Sequence, residues 1–275
     1  MDAIEGGKGV AEIGQKALAL SAGGMFGAYQ AGVYQALWPY WKPDIVVGTS
    51  VGALNGWPIA SRIEPRELID LWLSPEVGAA VKFRERPNLL RGGYFDPEPL
   101  LALTRRIQHD YPRRLPLGVV ALELPRFRHR LFCNDEITPE HLLAACSILL
   151  FYPSVRIDRC RLVDGGLLDA MPLWPAEVMG AASVVAINAL PRLLPWPAYL
   201  ALRGLRRLCK RPVPNTLPVS VISPSQPLGN ARESMVWSRP NSQRWIDIGI
   251  QDGERFVKEK LSLISDQPEY SGPRR

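Results

Sequence analysis

The stretch Asp44-Ile-Val-Val-Gly48-Thr-Ser50-Val-Gly52 decides the fold. Its first half is a short run of β-branched apolar residues, the pattern of a buried strand. Its second half fits G-x-S-x-G, and the residues from Gly52 to Ser61 read as a helix that Pro58 should kink or shorten. A strand that turns sharply into a helix at a serine between two glycines is the layout of a nucleophile elbow. The serine sits on strained backbone, and a side chain at either flanking position would clash. The helix that follows turns its positive end toward the serine and favours developing negative charge there. The same residues also suit an ordinary strand-to-helix turn with a capping serine.

Upstream, Lys16-Ala-Leu-Ala-Leu-Ser21 reads as a buried first strand, followed by the loop Ala22-Gly23-Gly24-Met25-Phe26-Gly27 and a helix from about Gly27 to Leu37. Glycines in such a loop let backbone N–H groups point into one small space. A dinucleotide cradle fits poorly. G-x-G-x-x-G would have Ala22 at its first position, and the acid about 20 residues on, Asp44, precedes the second strand instead of ending it. No Walker-A lysine follows. An oxyanion hole needs only donors about 3 Å from the charge, and a glycine loop beside Ser50 can supply them.

A serine nucleophile also needs a base. The chain has three histidines, His109, His129 and His141, and none lies beyond Asp164, which argues against the order Ser, acid, His. Each has a plain reading: a charged helix end, an arginine-rich strand pair and the first turn of a helix. Asp164, in Arg-Leu-Val-Asp-Gly-Gly, ends a short strand before Gly165 and Gly166, where an acid can project with little steric cover. A simple D-G turn is the other reading. A carboxylate can serve if proton transfer is concerted with attack and the loop stabilises the charge.

The remaining segments alternate. Helices are expected at Pro65–Leu73, Pro97–His109 and from Thr138 to about Leu150, and a closing helix at Ile246–Leu263. Leu117–Leu124 with Arg128–Cys133 reads as a strand pair, and Ser183–Asn188 and Pro218–Ile222 as apolar strands. This predicts an α/β domain with a mainly parallel sheet covered on both faces. Residues 1–14 read as a flexible leader, 15–265 as one domain and 266–275 as a flexible tail.

Together these blocks resemble the patatin-like phospholipase family. Leu20-Ser-Ala-Gly-Gly-Met-Phe-Gly is similar to its glycine-rich motif, Gly48-Thr-Ser-Val-Gly to its nucleophile motif, Ala145-Cys-Ser-Ile-Leu-Leu-Phe-Tyr-Pro-Ser-Val to the segment before its acid, and Asp164-Gly-Gly to its D-G-[AG] motif. The blocks stand in family order over residues 17–190. The resemblance implies a three-layer α/β/α fold and a Ser50–Asp164 dyad without histidine. It implies oxyanion donors on Gly23, Gly24 and Met25, and hydrolysis of lipid acyl esters through an acyl-enzyme. Gly27, Gly48, Gly52, Gly165 and Gly166 would support these motifs. Ala22 departs from the family's usual first glycine, Phe26 from its usual basic residue, and Leu149-Leu150 from a common proline. Acyl transfer by the same dyad, and a lipid-binding scaffold with little catalysis, are the alternative readings.

Composition agrees with an ordinary globular protein: 275 residues, 47% apolar and 22% charged. The four cysteines show no metal-ligand or disulfide spacing, which suggests a reducing, cytoplasmic setting. No cofactor or metal is expected. The formal charge of +6 favours anionic surfaces. Trp196–Lys210 is basic, amphipathic and aromatic at one end, suited to peripheral contact with anionic lipid. A lipid or other acyl ester is the expected partner, and nucleic acid is not.

Overall fold

In the computed structural model, residues 14–88, 93–190 and 216–261 are described. A central sheet is built from β1 (Lys16–Leu20), β2 (Ile45–Thr49), β5 (Leu117–Leu124), β6 (Arg128–Cys133), β7 (Val155–Ile157), β8 (Cys160–Asp164), β9 (Ser183–Ile187) and β10 (Val219–Ile222). Its order is β10-β9-β1-β2-β5-β8-β7, with β6 also paired to β5. β10, β9, β1, β2 and β5 run parallel, whereas β6 and β8 are antiparallel to β5. A separate antiparallel hairpin joins β3 (Lys82–Asn88) to β4 (Gly93–Asp96).

The side-chain period of two explains the layers. Leu18 and Leu20 of β1 and Val46 of β2 enter one core, whereas Ala17, Ala19, Ile45 and Val47 enter a second. The first core holds the larger side chains and faces α1 (Gly27–Leu37), α2 (Val51–Ala60), α3 (Pro65–Leu73), α5 (Pro97–Asp110), α6 (Pro139–Cys146) and the closing helix α8 (Arg239–Phe256). The second face is small-residue and is covered by α7 (Trp174–Val178). The short α4 (Pro75–Ala79) follows α3. The result is a mostly parallel sheet between helices, as the alternation of segments predicts.

Several expected boundaries move. The helix expected to reach Leu150 ends at Cys146, because Ser147 leaves the helical region with ψ 80°, and Leu150 then takes a positive φ of 76°. The closing helix starts earlier than Ile246, at Arg239, with a proline in its first turn. It continues through a short π-helical segment, Val257–Leu261, and residues 262 onward lie outside the described residues. Pro58 sits inside α2 without breaking it, near the end, where little helix remains to disrupt. Between α3 and α5, where the sequence reading places no strand, lies the β3–β4 hairpin. The expected leader and tail lie largely, and Trp196–Lys210 wholly, outside the described residues.

Candidate active site

β5 carries two strand ends on the same edge. Thr49, the last residue of β2, pairs with Val120, and Asp164, the last residue of β8, pairs with Ala121. β2 runs parallel to β5 and β8 antiparallel, so the two chains approach each other head on. The loop after β2 opens with Ser50, and the loop after β8 opens with Gly165. The convergence brings the Ser50 hydroxyl near enough to the Asp164 carboxyl to favour its charged form.

Ser50 has φ 54° and ψ −133°, outside the regions that L-residues favour. The strain is held by packing on both sides. A Cβ on Gly48 would lie 2.3 Å from the Gly52 carbonyl oxygen, and a Cβ on Gly52 would lie 2.3 Å from the Leu20 carbonyl oxygen. The elbow therefore presses against the end of β1, where the glycine loop begins. Ser50 is 4% exposed and precedes the first turn of α2, whose N-terminal amides favour negative charge nearby.

Asp164 is also 4% exposed. Burial pushes its carboxyl up to about 7, because the charged form loses its hydration. The nearby Ser50 hydroxyl and the Gly166 N–H, which donates to Oδ1 at 2.7 Å, pull in the opposite direction and do not offset burial. Gly165 packs on Thr49 and on the Val120 carbonyl, to which the Thr49 hydroxyl donates at 3.1 Å.

The glycine loop lies against both arms. Ala22 donates its N–H to Ala170, just past the Asp164 turn, at 2.8 Å. A Cβ on Gly166 would lie 2.5 Å from the Ala22 methyl, so glycine at 166 makes room for alanine at 22. Phe26, where the family usually has a basic residue, is fully buried and meets Trp245 of α8 edge-on at 5.0 Å. Gly24 has φ 56°, and a Cβ there would meet the Ser234 carbonyl at 2.2 Å. That carbonyl accepts the Met25 N–H at 2.8 Å. The expectation of three free rim amides is thus corrected for Met25, whose N–H is taken by the turn at 230–235. Among the described residues the Gly23 and Gly24 amides meet no backbone acceptor.

Ser50 opens onto an apolar pocket. Val51, Trp72, Leu100, Leu103, Cys146 and Tyr152 contribute to its wall, and Gly24 and Met25 to its rim. Burial, with the Asp164 carboxylate nearby, holds the Cys146 thiol well above its ordinary range, so it is a neutral wall group. None of the three histidines lines this pocket. His109 is exposed beside Asp110, His141 accepts the Thr138 N–H at the start of α6, and His129 sits on β6 opposite Leu122. These six wall residues come from four helices and one loop, and no spacing in the sequence marks them.

The model of the family described as patatin-like phospholipase matches residues 18–177. The chain is 26% identical over 186 residues to lysophospholipase NTE1 of Scheffersomyces stipitis, an alignment covering 62% of this chain and 11% of that protein. The chain therefore spans only a small part of that curated relative. Among solved structures it is similar to VipD from Legionella pneumophila, with a TM-score of 0.51 and 13% identity over 89% of this chain and 67% of that one. It is also matched to the type III effector ExoU, with a TM-score of 0.43 and 14% identity over 90% of this chain and 53% of that one. With the family model covering more than half of the residues, the chain belongs to the patatin-like phospholipase family.

Proposed function

We propose that this chain hydrolyses acyl esters of lipids with Ser50 as nucleophile and Asp164 as its base. The observation that carries the reading is a strained, buried serine beside a carboxyl poised near neutrality, on the wall of an apolar pocket. Ionised Asp164 takes the hydroxyl proton as the Ser50 oxygen attacks the ester carbonyl. The carbonyl π electrons move onto oxygen, and the Gly23 and Gly24 amides receive that charge. When the tetrahedral adduct collapses, the C–O bond to the alcohol breaks and Asp164 returns the proton to the leaving oxygen. Water then attacks the acyl-serine by the same route, releasing the fatty acid and restoring both side chains. A base with a value near 7 is half ionised at neutral pH and strong enough to share a proton in flight.

The pocket supports an apolar acyl group, because its wall offers almost nothing to a polar one. Its surroundings support a substrate held in a lipid aggregate. Phe83, Leu150 and Phe151 are exposed and stand within two residues of the pocket residues Val81, Ile148 and Tyr152 in the chain, and exposed Tyr94 meets the Phe151 ring at a tilt. No helix among the described residues is long and apolar enough to cross a membrane, so contact through this apolar rim would be peripheral.

The test is covalent labelling. A fluorophosphonate probe should mark Ser50, identified by peptide mapping, and p-nitrophenyl esters should be hydrolysed by the wild type. Hydrolysis that survives unchanged in Ser50→Ala or Asp164→Asn would sink the dyad. Added alcohol acceptors separate hydrolysis from acyl transfer by the product formed.

A further inference from the structure

A connected set of buried amides stands behind the site and takes no part in the proton transfers above. Gln30 of α1 is fully buried and donates its Nε2 to the Ser21 carbonyl at 2.8 Å. Asn55 of α2, 3% exposed, donates its Nδ2 twice, to the Gly27 carbonyl and to Gln30 Oε1, both at 2.9 Å. Its Oδ1 accepts the indole N–H of Trp72, from α3, at 2.9 Å. Both hydrogens and the oxygen of the Asn55 amide are therefore used. The Ser21 hydroxyl extends the set, donating to the Ala22 carbonyl at 2.7 Å and accepting the Ala189 N–H at 2.8 Å.

The two backbone carbonyls held by this pair, Ser21 and Gly27, bracket the loop from Ala22 to Phe26. The Gly23 and Gly24 amides lie between two fixed points. Asn55 stands on the same helix that Ser50 precedes, so the loop is tied to the nucleophile's own element. Packing repeats the link: a Cβ on Gly27 would lie 2.3 Å from Val51 and 2.5 Å from the Trp72 ring. Trp72 in turn forms part of the pocket wall. One side-chain amide thus meets the glycine loop, the nucleophile helix and the wall.

We infer that Asn55 is a positioning residue that sets the oxyanion loop and the acyl-pocket wall together, which couples turnover to acyl-chain fit. The inference rests on the dyad reading. An apolar residue at 55 would take the side-chain donor from the Gly27 carbonyl and from Gln30 Oε1, and the acceptor from Trp72 Nε1, all in a buried setting. A loop displaced by about 1 Å costs on the order of a hundredfold in rate while leaving ground-state binding largely intact.

Two variants test it, Asn55→Asp, which keeps the acceptor for Trp72 and loses the Nδ2 donors, and Trp72→Phe, which keeps an aromatic wall and loses the N–H. Steady-state hydrolysis of p-nitrophenyl butyrate and p-nitrophenyl decanoate is measured for each, with folding checked by circular dichroism. Asn55→Asp should lower kcat on the butyrate ester about a hundredfold with KM within about twofold. Trp72→Phe should change the decanoate-to-butyrate ratio of kcat/KM by about tenfold. If Asn55→Asp does not fold, the Trp72→Phe ratio decides alone. Folded variants with wild-type kcat and an unchanged chain-length ratio overturn the inference. A wild type whose hydrolysis does not depend on Ser50 overturns the dyad reading instead.

Discussion

The arm that delivers Ser50 and the arm that delivers Asp164 are built on different principles. The serine arm is local. β2, the elbow and α2 follow within a few residues, and Gly48 and Gly52 are required by contacts under 2.5 Å within and beside the turn. The acid arm is a short strand of five residues that pairs with β7 just before it and is aimed at β2 by β5, which begins far upstream, and nothing near Asp164 forces it toward a serine. The serine is held by strain and the acid by position. Local strain leaves a signature in sequence, whereas position along a neighbouring strand does not.

Breaking the chemistry of either arm should produce the largest effects. Ser50→Ala should lower kcat/KM by on the order of 10⁵-fold or more, measured on a soluble ester. Asp164→Asn should cost on the order of 10³- to 10⁴-fold in the same assay. The second variant should also remove the rising limb of the pH profile. In the wild type kcat/KM should climb with pH through about 7 as Asp164 loses its proton. A limb that persists in Asp164→Asn would assign it to another group.

Stability offers a second contrast between the arms. The Asp164 value is raised above that of the unfolded chain, so its neutral form is the one the fold prefers. Its favourable contribution is complete below about pH 4 and is lost as pH rises through about 7. Asp164→Asn should therefore gain stability over the wild type at pH 8, on the order of 1–4 kcal/mol, and little at pH 4. Denaturant melts at the two values would show it. Gly52→Ala should do the reverse, losing about 1–3 kcal/mol at both, because a methyl cannot fit against the Leu20 carbonyl.

The smallest effect probes where the glycine loop touches the acid arm. Ala22 and Gly166 share one space, and Ala22→Gly should cost less than about 1 kcal/mol in a thermal melt. Gly166→Ala, which puts two methyl groups there, should cost more than Ala22→Gly, and the double variant should recover part of that loss. Additive effects would show that the two positions do not share the space.

The strands of the sheet's parallel half, most helices and the strand-to-helix turn at Ser50 were legible because apolar periodicity, glycine spacing and proline placement act over a few residues, whereas β3, β4 and β7 were not. The ends of α6 and α8 were less so. Leu150 adopts its positive φ only where Phe151 and Tyr152 are anchored against β4, with the Phe95 N–H donating to the Phe151 carbonyl at 2.8 Å. Met25 read as a rim donor because its motif position suggests one, and the acceptor that occupies its N–H, Ser234, is more than 200 residues away. Asn55 did carry a signal, a polar amide in an otherwise apolar helix, but its three partners lie on other elements or at their ends.

By itself the sequence determined the alternating α/β plan, the strained turn at Ser50, the glycine loop and the lack of a histidine in the place a triad would need it. These depend on local backbone sterics and on which residue types are present. The tertiary structure decided that β8 should run against β5 and meet the end of β2, that burial should lift Asp164 to about 7, and that scattered side chains should close one apolar pocket. Those outcomes arise from packing and lost hydration between segments distant in the chain, and neither quantity exists until the chain has folded.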